Sequence, residues 1–183
     1  KLVPGVEILP YKKLFGFLDK LMVDLGGTRG SLGYDDDVTV FAHNHKNIKI
    51  APVICYESVF GDYITKYVRK GANIITVITN DGWWGDTYGY KQHFAYARLR
   101  AIETRRYVIQ AANTGISGII DDRGNIIYRT NYWCKDIIKS KVASNNNITL
   151  YVRYGDYIGL FSTVISLIVL LYYFILVRLK KHN

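Results

Sequence analysis

The chain is 183 residues long, 49% hydrophobic and 21% charged, which allows one domain with a sizeable core and excludes a disordered chain. Its net charge of +9 is carried by dispersed Lys and Arg without a groove-reading motif, so a nucleic-acid partner is not expected and an anionic membrane surface is. Cys55 and Cys134 are the two cysteines; they make no disulfide framework and lack the spacing of a metal site, and neither a metal nor an organic cofactor is expected.

Lys1 to Tyr11, with Pro4, Gly5 and Pro10, reads as a loop that begins like a cut end. Leu14 to Leu25 has helical spacing, and Gly26, Gly27, Gly30 and Gly33 lead into Asp35, Asp36 and Asp37, a connection and a solvated turn rather than a calcium loop. From Val38 strands and helices alternate: a short strand to Phe41, a second from Ile48 to Cys55, and a helix carrying Phe60, Ile64, Tyr67 and Val68 on one face. Pro52 cannot donate to a ladder and argues against a central position for the second strand. Ile74 to Thr79 is a β-branched run with little alternation, the pattern of a strand buried on both faces, and it ends in Asn80-Asp81-Gly82. A helix is expected from Tyr90 to Arg106 with Phe94, Ala97, Ala101 and Ile102 on its inner stripe. Strands follow at Tyr107 to Ala112, Ile116 to Asp121 and Ile126 to Tyr128, the last two joined by an Asp122-Arg123-Gly124 turn. The fold class is therefore α/β.

Ile158 to Val177 contains no charge, and about 20 such residues match the hydrocarbon thickness of a bilayer as a helix. It reads as one C-terminal transmembrane helix. Arg178, Lys180 and Lys181 follow it and place the tail in the cytoplasm by the positive-inside rule, with the domain on the other side. Tyr151, Tyr154 and Tyr157 suit an interfacial aromatic belt. Residues 1–150 then form the domain, and 151–183 the interface segment, helix and basic tail.

Cys55 stands where Val53-Ile54 gives way to Tyr56-Glu57-Ser58 at an expected helix start. Backbone N–H groups there favour a thiolate and can hold an oxyanion, although an inert buried cysteine fits the same pattern. Glu57 works against a thiolate, so a Lys or Arg from elsewhere and a second carboxylate as base are required. Trp83, Trp84 and Tyr88 sit in a Gly-flanked loop that suits a lid reaching lipid or, equally, packing over the core. His93 reads as structural, Glu103 as a surface ion-pair member between Arg100 and Arg106, Asn113 as a turn residue or a pocket residue, and Cys134 as non-catalytic.

Ile54-Cys55-Tyr56-Glu57 after a strand resembles the nucleophile segment of the nitrilase superfamily, in particular of its apolipoprotein N-acyltransferase family. Four further segments agree in order: Leu2-Val3-Pro4 with Glu7 and Pro10, Asn80-Asp81-Gly82-Trp83-Trp84-Gly85, Gln92-His93-Phe94 with Ala97-Arg98 and Arg100-Ala101, and Asn113-Thr114-Gly115 with Ser117. A closing transmembrane helix also fits the family. The resemblance implies a partial αββα sandwich and places the nucleophile of a Glu, Lys, Cys triad on Cys55. It implies that Tyr56 donates its backbone N–H to an oxyanion and that Glu57 and Glu7 support the pocket. The family's catalytic Lys would stand about two positions before Lys1, and the Glu earlier, so this stretch is expected to be inactive by itself. The implied reaction moves an acyl chain from a phospholipid, through a thioester, to the amine of a diacylglyceryl-apolipoprotein at the bacterial inner membrane, with the domain on the periplasmic side. A membrane-tethered amidase and a non-catalytic lipid-binding remnant are the rival readings.

Overall fold

The computed structural model describes residues 35–182 apart from Asp36 and His45. The expected helix at Leu14–Leu25, the glycine-rich connection and Glu7 lie outside the described residues.

Among the described residues, six strands form one mixed sheet in sequential order: β1 (Phe41–Ala42), β2 (Lys49–Ile54), β3 (Ile74–Thr79), β4 (Tyr107–Ala112), β5 (Gly118–Ile120) and β6 (Ile126–Arg129). The central pairs β2–β3 and β3–β4 are parallel, and the other three are antiparallel. Parallel neighbours need crossover connections, which are helices α1 (Gly61–Arg69) and α2 (Tyr88–Thr104). Ala51, Val53, Ile75, Val77 and Val108 point to the helical side and close a core with Ile64, Tyr67, Phe94, Ala97 and Ala101. Pro52 is tolerated because β1 pairs with β2 only at Lys49 and Ile50, leaving Pro52 beyond that ladder.

Two burial expectations are corrected. Ile78 is 61% exposed and Ile54, its register partner, 66%. The apolar run of β3 suits cover on both faces; on the face away from the helices Ile74 is buried, Thr76 is half-buried, and cover is lost only toward the carboxyl edge at Ile78 and Ile54. Ile102 is also exposed, because the buried stripe of α2 runs through Tyr90, His93, Phe94, Ala97, Arg100, Ala101 and Thr104, centred about 140° away around the helix. Helix α2 stops at Thr104 rather than Arg106, since Arg105 adopts the left-handed conformation (φ 53°). The β5–β6 turn forms as expected: Gly124 has φ 84°, and the Asp121 carboxylate accepts from the N–H groups of Arg123 and Asn125.

A long segment returns from β6 to the helical side. Asn73 ties it down: its side-chain oxygen accepts the Lys49 N–H at 2.9 Å, and its amide donates to Asn47 and Asn146. Thr149 caps the short helix α3 (Leu150–Tyr154), whose Val152 is fully buried and whose Val152 carbonyl accepts from Arg69 Nε at 2.7 Å. Gly155 (φ 70°) breaks the chain before α4 (Tyr157–His182). Within α4, Tyr157–Arg178 is a 22-residue stretch long and apolar enough to cross a membrane, and none of it is buried among the described residues; at 1.5 Å per residue it is about 33 Å long. The sheet with its helical layer is one half of the expected αββα arrangement.

Candidate functional site

Cys55 lies at the carboxyl end of β2, the edge at which open α/β sheets place their ligands. It has φ 49°, a left-handed conformation that costs a β-carbon residue about 1–3 kcal/mol and persists only where its surroundings enforce it. A five-residue 3₁₀ helix, Cys55–Val59, begins at this residue, and α1 starts at Gly61. The expected α-helix N-terminus is therefore not beside the thiol. A sharp elbow is, and covalent geometry keeps the Tyr56 N–H next to the sulfur.

Three side chains hold the elbow. Glu57 Oε2 accepts the Ile54 N–H at 2.9 Å, Ser58 Oγ donates to the Cys55 carbonyl at 3.0 Å, and His93 Nε2 lies 3.1 Å from that same carbonyl. The sulfur meets the Thr79 hydroxyl at 3.2 Å. Thr79 closes β3, and because Ile54 pairs with Ile78 in parallel register, the next residue of each strand stands beside the other.

Behind these groups is a buried polar chain. Asp81 Oδ1 is 2.8 Å from the Thr79 hydroxyl and 2.8 Å from His93 Nδ1; Asp81 and His93 are 0% and 1% exposed. His93 Nε2 is 2.8 Å from Ser58 Oγ. Gly115 makes room for this chain, as a β-carbon there would stand 2.5 Å from Asp81 Oδ2.

Aromatic rings wall the elbow. Tyr56, Trp84 and His93 meet at centroid distances of 5.5 to 6.2 Å, and Trp84 packs on the core. Gly89 admits the Trp84 ring, since a β-carbon would come within 2.6 Å of it. Trp83 packs against Trp84 with ring centroids 4.2 Å apart and tilted by 34°, and is half exposed, while Tyr88 is largely exposed with Lys91 over its ring. The pair is thus divided, Trp84 toward the core and Trp83 toward solvent. The Asn113 N–H donates to the Thr79 carbonyl at 2.9 Å, extending the β3–β4 pairing and bringing the 113–115 turn to the same edge.

Sequence reasoning did not find Thr79, Asp81 or Trp133. Trp133 (φ 58°) is exposed; its N–H donates to the Thr114 carbonyl, and its ring approaches Gly82. The available signal for Thr79 was position, because parallel pairing sets it level with Cys55. Glu103 is corrected: it pairs with Arg100 at 3.0 Å, but both side chains are mostly buried, and Arg106 turns away to backbone carbonyls. Burial raises the Glu103 carboxyl above its usual range; Arg100 opposes that, and Asp156 and Asp62 add to it. Cys134 is exposed, and no metal-binding group of three or more His, Cys, Asp or Glu occurs among the described residues.

Comparison with known proteins bears on this arrangement. The apolipoprotein N-acyltransferase of Chlorobaculum tepidum is 35% identical over 158 residues, which is 85% of this chain and 30% of that protein. The enzyme of the same name from Wigglesworthia glossinidia brevipalpis is 34% identical over 169 residues, 92% of this chain and 33% of that one. The chain thus spans about a third of the length of these relatives. Among solved structures, Saccharomyces cerevisiae Nit3, a member of branch 10 of the nitrilase superfamily, aligns with a TM-score of 0.46 at 21% identity over 60% of this chain and 41% of that one. The family model described as carbon-nitrogen hydrolase matches residues 9–147, more than half of the sequence, and the chain belongs to that family.

Proposed function

We propose that this chain carries the nucleophile of a membrane-anchored apolipoprotein N-acyltransferase, with Cys55 as the residue that accepts the acyl group. The observation that carries the reading is the elbow: a cysteine in a left-handed turn at the carboxyl edge of the sheet, with a hydroxyl 3.2 Å from its sulfur. Support comes from relatives that bear this name and from a 22-residue apolar stretch that is not buried among the described residues. A lipid donor needs a bilayer; a small soluble amide does not.

In the first half-reaction the thiol proton passes to a carboxylate base and the sulfur attacks the ester carbonyl of a phospholipid. The tetrahedral oxyanion is held by the Tyr56 N–H and by the lysine that the family's triad calls for, with Glu57 and Glu7 shaping the surroundings. Collapse breaks the ester C–O bond, the lysophospholipid leaves with the proton, and a thioester remains. In the second half-reaction the α-amine of a diacylglyceryl-cysteine attacks the thioester carbonyl, the C–S bond breaks, and the thiol regains a proton.

Residues 1–150 serve as catalytic domain on the periplasmic face of the bacterial inner membrane. Residues 151–183 supply the interface segment, the span and a cytoplasmic basic tail. Trp83, Tyr88 and Asn113 line the approach for lipid, and Trp84 braces it.

The test is mass spectrometry of the full-length protein, with the family's Glu and Lys in place, in phospholipid bilayers, wild type against Cys55→Ala. An acyl adduct on the wild type that is absent from the variant supports the thioester. A folded wild type that acquires no adduct removes acyl transfer and leaves a non-catalytic lipid-binding domain.

A further inference from the structure

The buried chain behind the elbow has no task in the reaction described above. Asp81, His93 and Ser58 are fully buried and polar, and burying such groups costs free energy unless every one is hydrogen-bonded. Their bonds converge on one residue from two sides. From one side His93 Nε2 and Ser58 Oγ address the Cys55 carbonyl at 3.1 and 3.0 Å. From the other, Thr79 reaches the Cys55 sulfur at 3.2 Å. Asp81 Oδ1 joins the two, 2.8 Å from His93 Nδ1 and 2.8 Å from Thr79 Oγ1.

Counting hydrogens shows what the joint can do. Ser58 has one hydroxyl proton for two neighbours, the Cys55 carbonyl and His93 Nε2. The His93 ring sits between Asp81 Oδ1, on its Nδ1 side, and Ser58 and the Cys55 carbonyl, on its Nε2 side, and Ser58 donates to that carbonyl. The strained Cys55 carbonyl is thus held by two side chains, and Asp81 Oδ2 is the one buried oxygen of this group without a hydrogen-bond partner among the described residues. Thr79 likewise has one proton. While it donates to Asp81, its oxygen can accept the S–H; once the thiol has lost its proton, the same hydroxyl can turn to donate to the thiolate, and His93 still holds the carboxylate.

We propose that the Asp81–His93 pair is a positioning device for the nucleophile: through Ser58 it locks the left-handed Cys55 carbonyl, and through Thr79 it supplies a hydrogen bond to the sulfur when the thiolate forms. The proposal rests on the reading of Cys55 as nucleophile. His93 is a positioning residue here and not the base, because its ring nitrogens face Asp81, Ser58 and a carbonyl. The benefit is orientation, since a misplacement of about 1 Å at a reacting atom can cost about 100-fold in rate.

The experiment follows Cys55 acylation in the full-length protein in phosphatidylethanolamine-containing nanodiscs, for wild type, His93→Gln, Thr79→Val, Thr79→Ser and Cys55→Ala. His93→Gln is expected to slow acylation about 10- to 100-fold with an unchanged half-saturating lipid concentration. Thr79→Val should slow it similarly, and Thr79→Ser, which restores the hydroxyl, should recover most of the rate. A general loss of structure would raise the half-saturating concentration and would not be rescued by serine. If His93→Gln does not fold, the valine and serine pair at Thr79 decides by the same criteria. Wild-type acylation in both His93→Gln and Thr79→Val, beside an inert Cys55→Ala, overturns the positioning role alone. Acyl transfer that persists in Cys55→Ala overturns the nucleophile assignment and this inference with it.

Discussion

Glu57 Oε2 accepts the backbone N–H of Ile54 at 2.9 Å, so the carboxylate two residues after Cys55 reaches back across the elbow and closes it from the solvent side. The contact is exposed, and its worth is that of an ordinary hydrogen bond, about 0.5–1.5 kcal/mol. Glu57→Ala is expected to lower Tm by about 2–4 °C, and Glu57→Gln, whose amide oxygen can still accept, by less than half of that. Differential scanning calorimetry checks it. An equal loss in both variants would show that the charge matters more than the acceptor.

Gly89 is the opening into which Trp84 fits. Gly89→Ala gains helix propensity of nearly 1 kcal/mol, yet it must push the indole out of contact with Tyr56 and His93. The expected outcome is unchanged far-UV circular dichroism, altered tryptophan fluorescence, and acylation reduced at least about 10-fold, in line with displacement of a group beside the reacting atom. Wild-type fluorescence and rate would mean that the ring relaxes without disturbing the elbow.

Arg106 is 1% exposed and donates to four carbonyls, those of Ala72, Thr104, Arg105 and Asn147, at 2.8 to 3.1 Å. It thereby satisfies the end of α2 and ties the segment returning from β6 to it, while burial pulls its guanidinium below the usual arginine value. Arg106→Met leaves these carbonyls without donors and should cost about 3 kcal/mol or more. Arg106→Lys should recover little, since one ammonium cannot span the planar fork. Urea denaturation of the three proteins measures it.

Glu103 makes stability depend on pH. Its carboxyl is raised above 4.5, first by burial, with Arg100 opposing and Asp156 and Asp62 reinforcing. The folded state therefore binds the Glu103 proton more tightly than the unfolded state, so this group's contribution is fully present below the unfolded value and is lost as pH rises through the higher folded value. Stability should fall from about pH 4.5 upward through that window. Glu103→Gln is expected to flatten the fall and to be the more stable protein at neutral pH. Melting curves at intervals between pH 4 and 8 test this; parallel curves for the two proteins would refute it.

Much of the scaffold was legible because its signals are local. The β-branched run of β3 bounded that strand to the residue, the strand read at Tyr107 to Ala112 matches β4, Asp122-Arg123-Gly124 announced the hairpin, and the 3.6-residue period located α1. The errors occur where a third element decides. Ile102 read as inner because apolar spacing cannot see that polar His93 and Arg100 take the buried stripe. Glu103 read as a surface partner of two arginines because the sequence does not show that α3 and the elbow cover that end of α2.

The sequence by itself determined which cysteine lies at a strand end, which residues surround it in order, and that an uncharged helix follows the domain, since each is a matter of residue type and short-range spacing. Only the tertiary structure decided that Cys55 is strained into a left-handed elbow and that Thr79, Asp81 and His93 converge on it. Parallel pairing of β2 with β3 and the passage of α2 across them bring together groups up to 38 positions apart. Hydrogen bonds act over about 3 Å, and distance along the chain carries no record of that proximity.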